Sequence, residues 1–312
     1  MRIALVKDIT KLWTVYKPEL EKYGAKVVLL DIFKEKDLEQ LLTEDWDGFI
    51  WRAKHDPYIR DLAKSILYYF DVELGVKTFP SWNSYWNYDN KVAQSFVLKR
   101  NKINTPVNSV FYDKEEALHF AKTIKYPIVF KASTGAGSSN VHLLKSKSQS
   151  VRLINKAFGK GIKTFFREDL QRNYVYFQEF LENNSIDYRI VCYRDERITG
   201  FSRIANKDGF ASGSGEYSFE EPPMDLLKFI YETHLKLGNK LVMAYDVMKD
   251  NKGEWAITEM SVVYADLATW SGDSPTPTYA IDSNGVFERV KNKENDHKYF
   301  MNLLARDWKI ID

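Results

Sequence analysis

Cysteine is nearly absent: Cys192 is the single one in 312 residues. That excludes an intramolecular disulfide and a cysteine-rich zinc site, and it fits a reducing, cytoplasmic compartment. Cys192 lies within the run YRIVCYRD, where it reads as a buried strand thiol. No stretch approaches the ~18 apolar residues that a membrane span requires, and the apolar run before Lys7 and Asp8 is too short for a secretory signal. Charge of one sign is missing too. With 45 Lys and Arg against 43 Asp and Glu, the net charge is +2, so no whole-molecule field is available to hold a nucleic acid. Any anion binding must be local. Both familiar phosphate motifs are also lacking, since no Gly-Lys-Ser/Thr follows a glycine-rich loop and no G-x-G-x-x-G occurs after a strand.

What is there is 44% hydrophobic and 15% aromatic residues, enough for one large core or two to three smaller ones. The first 85 residues alternate short apolar strands (IALVK, KVVLLD, GFIW) with amphipathic helices near residues 11–23, 38–42 and 58–72, the pattern of a small parallel sheet. From NYDNK the pattern changes to an α+β unit: a helix, strand SVFY, a helix KEEALHFAKTI with Asp113 as its N-cap, then PIVFK and VHLLK. DYRIVCYRDERITGFSRIA reads as an antiparallel hairpin, followed by a helix over 224–237 and strands KLVMAYDVM and EWAITEM. SGDSPTPTYAIDSNG is expected to be loop, and VFERVKNKENDHKYFMNLLARDW helical.

The segment KASTGAGSSN, residues 131–140, offers two readings. Glycine and serine punctuate ordinary hairpin loops. They also let backbone amides and hydroxyls approach phosphate oxygens, as Ser133, Gly135, Gly137, Ser138 and Ser139 could do here. Lys131 ends the strand just before this loop and Lys91 opens a helix after YDN; each is either a solvated cation or a partner of the same anion. The strand end Gln178, Glu179, Phe180, Leu181 is either an interdomain hinge or a purine edge with a carboxylate for ribose hydroxyls. Asp246 and Glu259 lie on two strands joined by the turn KDNKG, so both acids can face one point, where oxygen ligands suit Mg²⁺.

The order of these features resembles the ATP-grasp superfamily, and most of all its ribosomal-protein glutamate ligase-like branch of carboxylate-amine ligases, over nearly the whole chain and most strongly from Tyr88 to Glu259. The resemblance implies a mixed α/β and α+β protein: a pre-ATP-grasp domain over 1–87, a central ATP-grasp subdomain over 88–177 and a C-terminal one over 178–312. It implies ATP and Mg²⁺, with Lys91 and Lys131 on the phosphates, residues 133–140 closing over them, Gln178 to Leu181 on the adenine, and Asp246 and Glu259 on the metal. Arg189, in DYRI, is expected beside the transferred phosphoryl group, and Arg203, in GFSRIA, at the acyl phosphate. Ser261 stands where the family has an asparagine metal ligand, so the second metal would be held weakly or through water. Arg52 and His55 are candidates for a substrate carboxylate in the first domain. The expected activity joins a carboxylate to an amine through an acyl phosphate, with homo-oligomerisation left open. The alternative is a catalytically degenerate ATP-grasp protein that binds nucleotide as a regulator or scaffold.

Overall fold

Strands β1 (Arg2–Val6), β2 (Lys26–Leu30), β3 (Gly48–Ile50) and β4 (Lys77–Phe79) form a parallel sheet in the order β2-β1-β3-β4. The computed structural model describes residues 1–8, 10–135, 140–166, 169–182, 184–205, 216–264, 276–291 and 296–312. Helices α1 (Trp13–Lys22), α2 (Glu35–Thr43), α3 (Pro57–Tyr68) and α4 (Trp82–Tyr85) connect this sheet and lead out of it, with a π-helical turn over Tyr69–Glu73. Ile3, Leu5, Phe49 and Ile50 are fully or nearly fully buried, as strands covered on both faces should be.

The next stretch holds α5 (Lys91–Arg100), β5 (Asn108–Phe111), α6 (Lys114–Thr123), β6 (Ile128–Lys131), β7 (Val141–Leu144), α7 (Lys147–Ala157), β8 (Ile162–Lys163), β9 (Leu170–Gln171) and β10 (Val175–Glu179). β5, β10, β6 and β7 make an antiparallel sheet in that order, with α6 and α7 packed together on it. Asp113 caps α6 as expected, accepting from the Glu116 amide at 2.8 Å. This sheet has its own core, built on Ala117, Ile128, Phe130, Ile154, Val175 and Phe177.

The remaining strands are β11 (Ile186–Tyr193), β12 (Arg197–Ile204), β13 (Tyr217–Ser218), β14 (Met243–Lys249), β15 (Trp255–Ser261), β16 (Thr278–Ile281) and β17 (Phe287–Val290). They form one antiparallel sheet, ordered β15-β14-β11-β12-β16-β17, with β13 also on β12. Helix α8 (Met224–Lys236) packs on β11 and buries Leu226, Leu227 and Ile230. The last helix, α9 (Asp296–Asp307), packs on α1, and the Trp308 ring lies so close to Gly48 that a Cβ there would sit 2.5 Å from it. The chain's last turn thus seals the first sheet, and the first and third sheets share one core containing Phe49, Phe79, Tyr193, Tyr245 and Phe300.

Two expectations fail at the C-terminal end. Residues 278–281 are strand rather than loop, and 287–290 are strand rather than helix. FERV is too short to hold a helix of its own, so the available partner β16 decides its conformation, and the helix begins only at Asp296.

Candidate active site

Helix α5 starts under tight control. Asn90 caps it, accepting from the Ala93 amide at 3.0 Å and from the Ser133 hydroxyl at 3.1 Å. Asp89, in the left-handed region at φ 49°, accepts the Gly135 amide at 2.9 Å and faces Arg60 at 3.4 Å. The Lys91 amide donates to the Ser133 carbonyl at 3.0 Å, and its ammonium donates to the Gly135 carbonyl at 3.2 Å. Gly135 is thereby held at both its backbone groups. Its φ of +111° and the Asn140 amide packed against its Cα leave no room for a side chain. Gln171 takes the Ser133 amide at 2.8 Å and Asp169 the Thr134 hydroxyl at 2.8 Å. The stem of the Gly/Ser loop is therefore built by Asp89, Asn90, Asp169 and Gln171, none of which was singled out from the sequence. Gly137, Ser138 and Ser139 lie outside the described residues.

Across from this stem are the acids. Asp246 of β14 stands directly opposite Glu259 of β15, just past a bulge that shifts the register between Asp246 and Val247. The Asp246 carboxylate accepts from Arg189 Nε at 2.8 Å, from Arg189 Nη2 at 2.9 Å and from Arg203 Nη2 at 2.8 Å. Arg203 also donates to Asp187 at 2.5 Å. Glu259 keeps a third of its side chain exposed, with Oε1 3.8 Å from the Lys91 ammonium. Lys91, Lys131 and Gln178 line one cavity of about 10 Å³, together with Tyr176 and Thr258. Helix α5, the second sheet and the third sheet, spanning residues 91 to 259, meet at this point.

The electrostatics follow from burial. Burial and then the neighbouring Lys91 push the Lys131 ammonium down to about 8. Burial raises the Asp187 carboxyl to about 7 although Arg203 opposes it. Burial acts the same way on Asp246, but Arg189 and Arg203 overcome it and hold that acid well below the usual carboxylate range.

The remaining expected residues fall elsewhere or are already engaged. Arg52 is buried, donating to the Tyr264 carbonyl at 2.7 Å and reaching the Tyr16 hydroxyl at 3.4 Å. The His55 ring packs on Phe166, centroids 5.4 Å apart. Glu179 accepts the Val107 amide at 2.7 Å and faces the Asn251 amide, which also donates to the Phe180 carbonyl at 3.0 Å. Leu181 is buried beside them. A separate cavity of about 420 Å³, lined by Glu182, Tyr188, Lys249 and Trp255 among others, includes none of the expected residues. Among the described residues no helix is long and apolar enough to cross a membrane.

Residues 88–216 match the RimK-like ATP-grasp domain. The fold is shared with D-cycloserine synthetase DcsG, at a TM-score of 0.63 and 12% identity over 99% of this chain and 100% of that one. The stretch 88–216 is identified as a RimK-like ATP-grasp domain. Among curated proteins, the chain is 29% identical over 115 residues to the 2-oxoglutarate carboxylase small subunit of Hydrogenobacter thermophilus, covering 36% of this chain and 23% of that one. It is 23% identical to the alpha-aminoadipate–LysW ligase LysX of Saccharolobus solfataricus, covering 56% of this chain and 62% of the relative. The aligned regions span less than two thirds of these relatives' lengths.

Asp246 and Glu259 can be tested against a divalent ion from their chemistry. Two carboxylates opposed on neighbouring strands, one partly open to solvent, are hard oxygen donors of the kind Mg²⁺ takes, so the pair fits. Asp246 enters that set already carrying two guanidinium groups, and the Ser261 hydroxyl donates to the Val263 carbonyl. Among the described residues no group of three or more His, Cys, Asp or Glu side chains gathers into a metal site.

Proposed function

We propose that this chain is an ATP-dependent carboxylate-amine ligase that forms an amide or peptide bond through an acyl phosphate. The observation that carries the reading is the meeting of Lys91, Lys131, Arg189 and Arg203 with Asp246 and Glu259 between the second and third sheets. A carboxylate does not react with amines because its oxygen is a poor leaving group, so it must first be activated. In the proposed first step a substrate carboxylate oxygen attacks the γ-phosphorus of ATP, the bond to the β–γ bridging oxygen breaks, and ADP departs. Lys91 and Lys131 sit where they would balance phosphate charge, and Arg189 and Arg203 where they would meet the transferring group. Arg203 Nε is buried with no partner among the described residues, a donor direction a phosphoryl oxygen could use. Asp246 and Glu259 would hold Mg²⁺, which supplies charge neutralisation along the phosphates. An amine then attacks the acyl carbon, the carbon–oxygen bond to phosphate breaks, and the amine gives up a proton to solvent or a base.

The LysX relative, whose name joins alpha-aminoadipate to LysW, supports an amino acid as one substrate, with a protein, peptide or sugar acid proposed as the other. Arg52 and His55 are proposed for the substrate end, at the exit of β3. A screen of carboxylates and amino acids for phosphate release tests the reading. One pair should give ATP-dependent phosphate release, and Lys131→Ala should reduce it about a hundredfold with folding retained. Wild-type turnover in that variant would remove Lys131 from the assignment.

A second reading has its own observation. Asp246 is saturated by arginines and Ser261 faces a backbone carbonyl, as they would in a nucleotide-binding regulator that has lost turnover. ADP binding without phosphate release under any substrate pair would favour it.

A further inference from the structure

β15 is the outermost strand of its sheet, so one row of its backbone groups has no neighbouring strand to pair with. Helix α5 and the segment after it supply that pairing instead. Gln94, on α5 and 3% exposed, donates to the Met260 carbonyl at 2.7 Å and accepts the Met260 amide at 3.0 Å. Its side-chain amide thus takes both outward-facing groups of one residue, as a neighbouring strand would. Asn104 does the corresponding work further back: its carbonyl accepts the Ile257 amide at 2.9 Å, and its side chain donates to the Trp255 carbonyl at 2.9 Å. Between these two anchors lies the bulge at which Asp246 pairs with Glu259 and the next residue, Val247, pairs with Ile257.

The placement matters because a bulge is the point at which a strand's side-chain parity is set. One residue of slip sends every following side chain to the opposite face. Glu259 reaches the cleft only while the strand beyond the bulge keeps its register, and Met260 is its immediate neighbour. The same helix carries Lys91, which grips the Gly135 carbonyl at its first turn. One rigid element therefore fixes the stem of the Gly/Ser loop and the strand that bears the acid.

We propose that Gln94 is a positioning residue for Glu259, holding the register of β15 past the bulge through the two backbone groups of Met260. This rests on the ligase reading only in taking Glu259 as a metal ligand; the register claim stands apart from it. The test pairs two measurements on the full chain. Amide-resolved hydrogen exchange should find Met260 protected in the wild type despite its place on an outer edge, and exposed in Gln94→Met, which keeps the side-chain length without the hydrogen bonds. ADP affinity, measured by calorimetry with Mg²⁺ and again with EDTA, should lose about tenfold of its Mg²⁺-dependent part in Gln94→Met while the EDTA value stays put. A merely structural residue would lower the melting temperature without moving that split. Met260 exchanging in the wild type as fast as an unpaired amide would overturn the proposal, whether or not the variant folds, and so would a full Mg²⁺ increment in a folded Gln94→Met. If the wild type shows no Mg²⁺ increment at all, the metal assignment of the ligase reading fails, and the exchange data alone decide the register claim.

Discussion

Lys131 shows how a single side chain acquires chemistry from its surroundings. Burial and the nearby Lys91 bring its pKa to about 8, from an ordinary value of 10.5. Below that pH the ammonium is charged and can meet a polyphosphate; above it the free protein loses the proton. The expected outcome is an ADP dissociation constant that is flat below pH 8 and rises above it, toward about tenfold per pH unit. Calorimetric titrations from pH 6.5 to 9.5 check this, and Lys131→Arg, which stays charged throughout, should remove the break. A break that survives in Lys131→Arg would assign it to another group. The residues legible in the sequence at this scale were the cations and acids, because a lysine before a Gly/Ser run and an acid on each arm of a hairpin are local patterns. Asp89, Asp169, Gln171 and Gln94 were not legible, because their partners lie 35 to 166 residues away; Asn90 carries the local signal of a helix cap, but its bond from Ser133 spans 43 residues.

Elements are tied to one another by a few buried polar contacts, and His234 is one with a measurable consequence. At the end of α8 its Nε2 donates to the Lys240 carbonyl at 2.9 Å, which leaves Nδ1 to accept the Tyr245 hydroxyl of β14 at 2.9 Å. This neutral tautomer is buried, and burial holds its pKa down to about 4 against 6.5 for a free imidazole. Between those values the unfolded chain binds a proton that the folded one refuses. Stability from this group is therefore complete above pH 6.5 and declines as pH falls toward 4, by about 3 kcal/mol in all. Urea unfolding at a series of pH values should show that decline, and His234→Gln should flatten it. Element positions were largely readable from periodicity, and the exceptions are informative. Thr278–Ile281 and Phe287–Val290 became strands because an open edge of the third sheet accepts them.

At the scale of the molecule, the chain divides its interior unevenly. The first and third sheets share one core, and the second keeps a smaller core of its own. Trp308 belongs to the shared core, stacked over Gly48, while Lys77 reaches its carbonyl. Removing that ring should cost about 3 kcal/mol or more, and Trp308→Ala should lower the melting temperature without changing ADP affinity measured well below it. A loss of affinity in step with stability would mean that the shared core also shapes the cleft.

The amino-acid sequence by itself determined the alternation of strands and helices, the exclusion of an intramolecular disulfide by a single cysteine, and the charged residues that the ATP-grasp resemblance singles out, because each depends on composition or on spacing of a few residues. Only the tertiary structure decided that Asp246 is held by two arginines, that α5 lines the edge of β15, and that the last helix closes the first sheet. Those facts arise from side chains meeting backbone groups across long stretches of chain, and no local pattern encodes where a distant carbonyl will come to rest.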